Sequence, residues 1–293
     1  GKKKQSISIE EGVLSLIGSF DEFDYKILQL LDLTQDSQTI DFTIKDLKIG
    51  RLIFSDTYFE GVDIKSVRSN EYNAFEISNS SFKGIFSSPK FSNKIPLLNF
   101  DFIDLEFSDV NSSGSFLSIY NNINTQIRFD AKEIILNSEN YGNWSFDLIP
   151  GKDELTLSNL SGKYNKWGLT SNRDQISDLV ISKKGLGWRT DLVTKVYSGS
   201  PEKAFKQIGV ETNFEMDTFN MEADITWNSL PWNFDPVEVN GLIELDINGL
   251  LIQDRDDIQT PNNLLRLINI FNVTDSFEKV TNLDFRKLYK SGF

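Results

Sequence analysis

From residue 40 onward, apolar and polar positions trade places with the two-residue period of a half-buried strand. Ile40, Phe42 and Ile44 alternate with Asp41, Thr43 and Lys45. Leu47 and Ile49 resume the alternation one residue out of step, the mark of a β-bulge. Paired short strands are predicted at 6–20, around the turn Glu10-Glu11-Gly12, and at 75–86. Over 99–107, Phe100 and Phe102 keep one phase while Ile103, Leu105 and Phe107 keep the other, so that strand too carries a bulge or turns over. The stretch 176–199 reads as a hairpin turning near Lys184-Gly185, and 222–252 as two more alternating segments.

Three segments break this period. In 21–33, Phe23, Ile27, Leu30 and Leu31 fall on one helical face, with Asp21 and Glu22 where the positive helix end favours them, so a helix is expected. A second short helix is expected over 201–209, with Ser200 as N-cap, Pro201 in the first turn, Gly209 at the end, and Ala204, Phe205 and Ile208 on its buried side. The third, 262–271, follows Thr260 and Pro261 and carries Leu264, Leu265, Leu267, Ile268, Ile270 and Phe271 on almost every side. A helix apolar all round is buried on both sides or touches lipid. At about 15 Å it is too short to cross a bilayer.

Two internal similarities point to repetition. IDFTIKDLKI (40–49) resembles IRFDAKEIIL (127–136), and EISNSSFKG (76–84) resembles TLSNLSGKY (156–164). Small strand meanders of this kind stack by extending one sheet. The expected fold is therefore mainly β: an extended, strongly curved antiparallel sheet built from repeated meanders, with a few short α-helices. Its parts are a first meander over 1–110, a second over 111–200 and a C-terminal part over 201–293, all in one continuous sheet.

Composition narrows the chemistry. Among 293 residues there is no Cys and no His, which removes thiol chemistry, the commonest general base and the commonest zinc ligand. Carboxylates are what is left, as Asp254, Asp256 and Asp257 around Arg255, and as Asp21, Glu22 and Asp24. With 43 acidic residues such clusters arise on loops by composition, and the spaced ligands and central glycine of a calcium loop are missing. No catalytic residue, metal site or cofactor is assigned. A net charge of −13 repels phosphates and speaks against nucleic acid as a partner.

The aromatic content says more, with 23 Phe and 5 Trp. Alternation places Phe42, Ile44, Phe100, Phe102, Phe129, Phe146, Ile225, Trp227 and Leu245 on one face of the predicted sheet. Either that face is an ordinary core covered by a second layer, or it is a binding surface for hydrocarbon chains, because large exposed apolar patches are otherwise a liability.

The segment ITWNSLPWNFDPVEVNGLIELDINGLLIQDRDD, followed by NLLRLINIFNV and LDFRKLYKSGF, resembles the C-terminal signature of the AsmA-like family, YhdP type. The matching positions are Trp227, Pro231, Gly241, Leu242, Gly249, Leu264, Leu265, Leu267, Leu283, Asp284, Phe285, Gly292 and Phe293. PEKAFKQIG and DEFDYKILQLL resemble short helices that precede it. The resemblance implies a bridge-like lipid transfer protein of the periplasm, anchored to the inner membrane by a segment outside this chain, whose β-groove holds phospholipid acyl chains. It implies no enzyme activity. Membrane contact would fall at the C-terminal end, with Leu264, Leu265, Leu267, Ile268 and Phe271 as the candidate residues. An envelope scaffold without lipid conduction is the alternative.

Overall fold

The computed structural model describes residues 6–10, 13–24, 41–54, 57–90, 94–105, 125–171, 178–185, 187–207, 214–234, 238–249 and 251–252. The chain forms two compact units, Gly1–Pro150 and Gly151–Phe293.

The first unit is a sheet in which the strands follow one another in chain order. They are β1 (Ser6–Glu10), β2 (Val13–Asp24), β3 (Asp41–Phe54), β4 (Thr57–Val67), β5 (Tyr72–Ser78), β6 (Phe82–Pro89), β7 (Leu97–Leu105), β8 (Ile127–Leu136) and β9 (Glu139–Pro150). Most neighbours are antiparallel. At the β8–β9 turn, Asn137 and Ser138 both have positive φ, 50° and 67°, as a two-residue hairpin requires. At the β5–β6 turn, Asn79 Oδ1 accepts from the backbone N–H groups of Ser81 and Phe82, both at 2.9 Å.

Two pairings differ from the all-antiparallel expectation: β2 with β3, and β7 with β8, are parallel. A parallel neighbour needs a crossover connection, which a meander lacks. The strand that follows each crossover is the one picked out by the repeat, β3 in one copy and β8 in the other. Both carry an extra residue at the same repeat position. Leu16 and Ile17 pair with Ile44 and Asp46, leaving Lys45 bulged out. In β8 the ladder passes from Ala131↔Trp144 to Ile134↔Gly142, so the extra residue falls at Lys132-Glu133.

The second similarity has a different outcome. Residues 76–84 form the β5–β6 turn, whereas 156–164 lie inside one strand, where Asn159 takes φ 54°. Asparagine visits the left-handed region readily, so one short motif serves as a turn in one place and an irregular strand in the other.

The helix expected over 21–33 is corrected over its first four residues, and 25–33 lie outside the described residues. Asp21–Asp24 continue β2, with Glu22, Phe23 and Asp24 paired to Arg51, Leu52 and Ile53. The helical spacing there has a β origin. The ladder skips Asp21, Gly50 and Gly61, the last with φ 62°, and the apolar side changes phase at that line. Phe20 and Phe23, Ile49 and Leu52, and Phe59 and Val62 all pack on one core although each pair is three residues apart. A Cβ on Gly50 would meet the carbonyl oxygen of Asp21 at 2.6 Å, so the crossing needs glycine.

The second unit contains β10 (Glu154–Tyr164), β11 (Trp167–Ser171), β12 (Leu179–Lys184), β13 (Gly187–Ser198), helix α1 (Pro201–Gln207), β14 (Phe214–Glu215), β15 (Thr218–Trp227), a 3-10 turn (Pro231–Asn233), β16 (Asn240–Asn248) and β17 (Leu251–Ile252). Its sheet runs β10-β11-β13-β15-β16, with β12 paired to both β10 and β13, all antiparallel. The expected hairpin at Lys184-Gly185 is β12–β13, and Gly185 has φ 62°. Helix α1 buries Pro201, Ala204 and Phe205; 208–210 lie outside the described residues. The short strands β14 and β17 form a separate two-stranded ribbon.

The fold class read from the sequence, a mainly β, antiparallel sheet with little helix, is the observed one apart from the two parallel pairs. Among the described residues no helix is long and apolar enough to cross a membrane.

Candidate functional site

In the first unit, alternation and the phase lines gather the apolar side chains on one face. Its centre is Ile44, Leu47, Ile49, Val62 and Phe82, with Ile49 1% and Val62 0% exposed. From Phe82 a row of phenylalanines crosses the strands. Phe59 meets Phe82 edge-on at 5.1 Å, Phe82 meets Phe100 at 6.4 Å, Phe100 meets Phe129 at 5.8 Å, and Phe129 stacks on Phe146 at 4.7 Å. Strands lie about 4.8 Å apart, so one ring per strand at the same height produces this spacing. Phe59 reaches Phe82 because β5 has already ended at its turn. Gly84 clears a place for the next ring, since a Cβ there would meet Phe100 Cδ1 at 2.6 Å.

Apart from Phe82, the members of the row are half-buried. They present carbon and nothing else, so this surface can exclude water and pack against hydrocarbon but cannot move a proton. The opposite face is charged and self-paired. Lys48 lies 3.0 Å from Asp63, Lys132 2.7 Å from Asp101, Lys65 3.4 Å from Glu76, and Arg51 3.5 Å from Glu22. The hydrogen bond from Lys132 holds the Asp101 carboxyl below the ordinary carboxylate range, and Asp101 in turn raises Lys132. Arg128 Nε and Nη2 grip the two oxygens of buried Asp147 at 2.6 and 2.7 Å, which raises the arginine further.

In the second unit the apolar face carries Phe219, Met221, Ala223, Ile225 and Trp227 along β15, and opposite Met221 stands Leu245. Here both ends of the face are covered, while Met221, Ile243 and Leu245 are half-buried. At one end Phe205 of α1 meets Trp167 at 4.9 Å and Phe219 at 5.6 Å, with Trp167 and Phe219 5.5 Å apart, all edge-on. At the other end Trp227 packs with Val239 and meets Phe234 edge-on at 5.2 Å, while its Nε1 donates to Leu230 O at 3.3 Å. Thr190, fully buried, donates from Oγ1 to Ser229 O at 2.6 Å and ties that loop to the sheet.

Of the residues singled out in the sequence, Phe100, Phe129 and Phe146 stand together in the row and Ile44 lies in the core beside it. Phe42 pairs with Leu14 in the β2–β3 ladder, and its side chain lies outside the described part of the structure. Phe102 is separated from the row: the bulge at Asp101 sets it opposite exposed Lys83 rather than opposite Gly84. Ile225, Trp227 and Leu245 share the face of the second unit. Leu264, Leu265, Leu267, Ile268 and Phe271, and the Asp254–Asp257 cluster, lie outside the described residues. Phe59 and Phe82 belong to the row although alternation does not single them out. Phe59 is displaced from simple alternation by Gly61, and Phe82 follows a turn.

The profile of the YhdP protein family matches residues 11–293. Among curated proteins, the intermembrane phospholipid transporter YhdP of Escherichia coli (strain K12) is 29% identical over 157 residues, which cover 53% of this chain and 11% of that protein. The chain thus matches a small part of that relative's length. No solved structure matches it. With the match running through both units and through the strand pattern that builds the phenylalanine row, the chain belongs to the YhdP family.

Proposed function

We propose that this chain is a segment of a periplasmic, bridge-like protein that conducts phospholipid between the inner and outer bacterial membranes along an apolar β-groove. The observation that carries the reading is the row Phe59–Phe82–Phe100–Phe129–Phe146, half-buried apart from Phe82 and backed by a face of paired charges. The name of the Escherichia coli relative supports phospholipid as the cargo. Moving a methylene group from water to such a surface is worth about 0.8 kcal/mol, so acyl chains bind by partition without headgroup chemistry. Rings repeated strand after strand offer near-equal sites, which lets a chain slide. No enzymatic step is needed, and none is proposed. The apolar sequence 262–271 is the candidate for membrane contact.

Native mass spectrometry and lipid extraction of the purified chain test this directly. Phospholipid should co-purify, and Phe129→Asp should remove it while the chain stays folded. A folded chain that never carries phospholipid would sink the conduit reading. The alternative, an envelope scaffold without conduction, draws its support from the second unit, whose apolar face is covered at its ends by its own Phe205, Leu230 and Val239.

A further inference from the structure

The apolar face of the second unit is covered at one end by a helix. There Phe219 is 0% and Phe205 2% exposed, while Met221 and Leu245 beside them are half-buried. The covering element is α1. This helix has seven residues, fewer than two turns, a length that does not hold as a helix on its own. Its outer side, Glu202, Lys203, Lys206 and Gln207, is exposed, so its hold on the sheet comes from Pro201, Ala204 and Phe205. A side-chain hydrogen bond fastens it: Trp167 Nε1 donates to Ala204 O at 3.2 Å.

Phe205 is buried in a cluster with Met216 and Phe219, against which Trp167, Met221, Leu245 and Ile247 pack. The chain has two methionines, and both are here. Methionine is unbranched and polarisable, and it repacks around guests of different shape. A pocket walled by both methionines and filled by a ring from one short helix suits an exchange of occupants better than a rigid one of β-branched residues.

We propose that α1 is a displaceable plug, its Phe205 holding the position that a hydrocarbon chain takes when the helix lifts. The plug presupposes the conduit reading above. It turns the covered Phe219 end of the second unit's face from an objection into a gate: seated, α1 closes that end; lifted, it opens it. The exchange is nearly balanced because one apolar group replaces another and the pocket never fills with water.

The test compares one position in each unit. A photoreactive benzoylphenylalanine replaces Leu245 in one version of the chain and Phe146 in another, and each is irradiated with vesicles of labelled phosphatidylglycerol and phosphatidylethanolamine. Crosslinking at Phe146 should be strong and indifferent to α1. Leu245 is half-buried beside the cluster, and Trp167→Phe should raise crosslinking there about fivefold, the shift that follows from losing one neutral hydrogen bond. Phe205→Ala should raise it further. If Phe205→Ala does not fold, hydrogen exchange of the unaltered chain reads the same event, since the amides of 203–207 should lose protection when vesicles are added. Crosslinking at Phe146 with Leu245 unmoved by either variant, or α1 amides equally protected with and without vesicles, makes α1 a permanent core element and overturns the plug while leaving the conduit. Silence at both positions in every version overturns both.

Discussion

Phe129 and Phe146 face each other across β8 and β9 with their rings 4.7 Å apart and 17° from parallel, and this pair is the stacked one in a row otherwise tilted or edge-on. Direct cross-strand register, Phe129↔Phe146, sets the contact. Truncating Phe129 removes the ring that joins Phe100 to Phe146. Phe129→Ala should cost about 2–3 kcal/mol, somewhat less than for a fully buried phenylalanine, and Phe129→Leu about half as much. Denaturant midpoints read by fluorescence of Trp144, on the neighbouring strand, check this.

A charge within the row should matter far more for lipid than one behind it. Phe100→Asp and Phe146→Asp should abolish phospholipid co-purification, whereas Lys48→Ala and Asp63→Ala, on the paired face, should leave it unchanged. Equal loss from both sets would mean that the effect lies in folding and not in the surface.

Glycines with positive φ should separate by their surroundings. Gly61 has φ 62° with nothing within 4 Å of where an added methyl group would stand, so Gly61→Ala should cost about 1 kcal/mol of backbone strain. Gly241 has φ 139°, and a Cβ there would overlap the backbone oxygen of Asp224, an atom held in the β15–β16 ladder. Gly241→Ala should therefore cost several times as much, on the order of 3 kcal/mol or more. Thermal unfolding of the two variants side by side decides it.

The Asp101–Lys132 pair should give a flat contribution over the neutral range. The carboxyl titrates below its ordinary range, so its stabilisation is present above the unfolded value and is lost as pH falls through the folded one. Lys132 titrates above its ordinary value, so its share is complete below that value and disappears as pH rises past the folded one. Following the Asp101 carboxyl by NMR, Lys132→Met should move its midpoint upward. An unmoved midpoint would show that the 2.7 Å contact does not persist in solution.

Thr190→Val keeps the shape of a fully buried side chain and deletes its bond to Ser229 O. A carbonyl left without that donor should cost about 1–3 kcal/mol. Hydrogen exchange should report the loss first in the loop around Ser229, ahead of the β13–β15 ladder.

Strand content and the apolar face were legible in the sequence because alternation follows from the pleat, and every register error would turn Phe and Ile outward. The bulge at Lys45 was legible for the same reason, as a one-step slip between Ile44 and Leu47. Pairing direction was not: β3 and β8 read alike whichever way their neighbours run, because direction depends on the connection and not on the strand. The segment 21–24 misled because Phe20 and Phe23 lie three apart across a change of phase, a spacing that a helix also produces. Phe102 looked equivalent to Phe100 by alternation, and one extra residue in β7 set them on different faces. The role of α1 was out of reach, since Phe205 was readable as buried but not as buried among both methionines.

The bulge at Lys45 has a bearing on how such a chain can change in length. Two polar residues, Lys45 and Asp46, stand between Ile44 and Leu47, and the ladder counts only the second of them. Deleting Lys45 would close the bulge and leave Ile44, Leu47 and Ile49 facing the core in unbroken alternation. Deleting Lys48, three residues on, would put Leu47 and Ile49 on opposite faces and send one of them to water. An odd-numbered insertion or deletion is thus absorbed where a bulge is made or erased, while elsewhere along a strand only even steps keep the dry side dry. Each bulge is in that sense a spare letter, a place where the text can gain or lose one character and still be read.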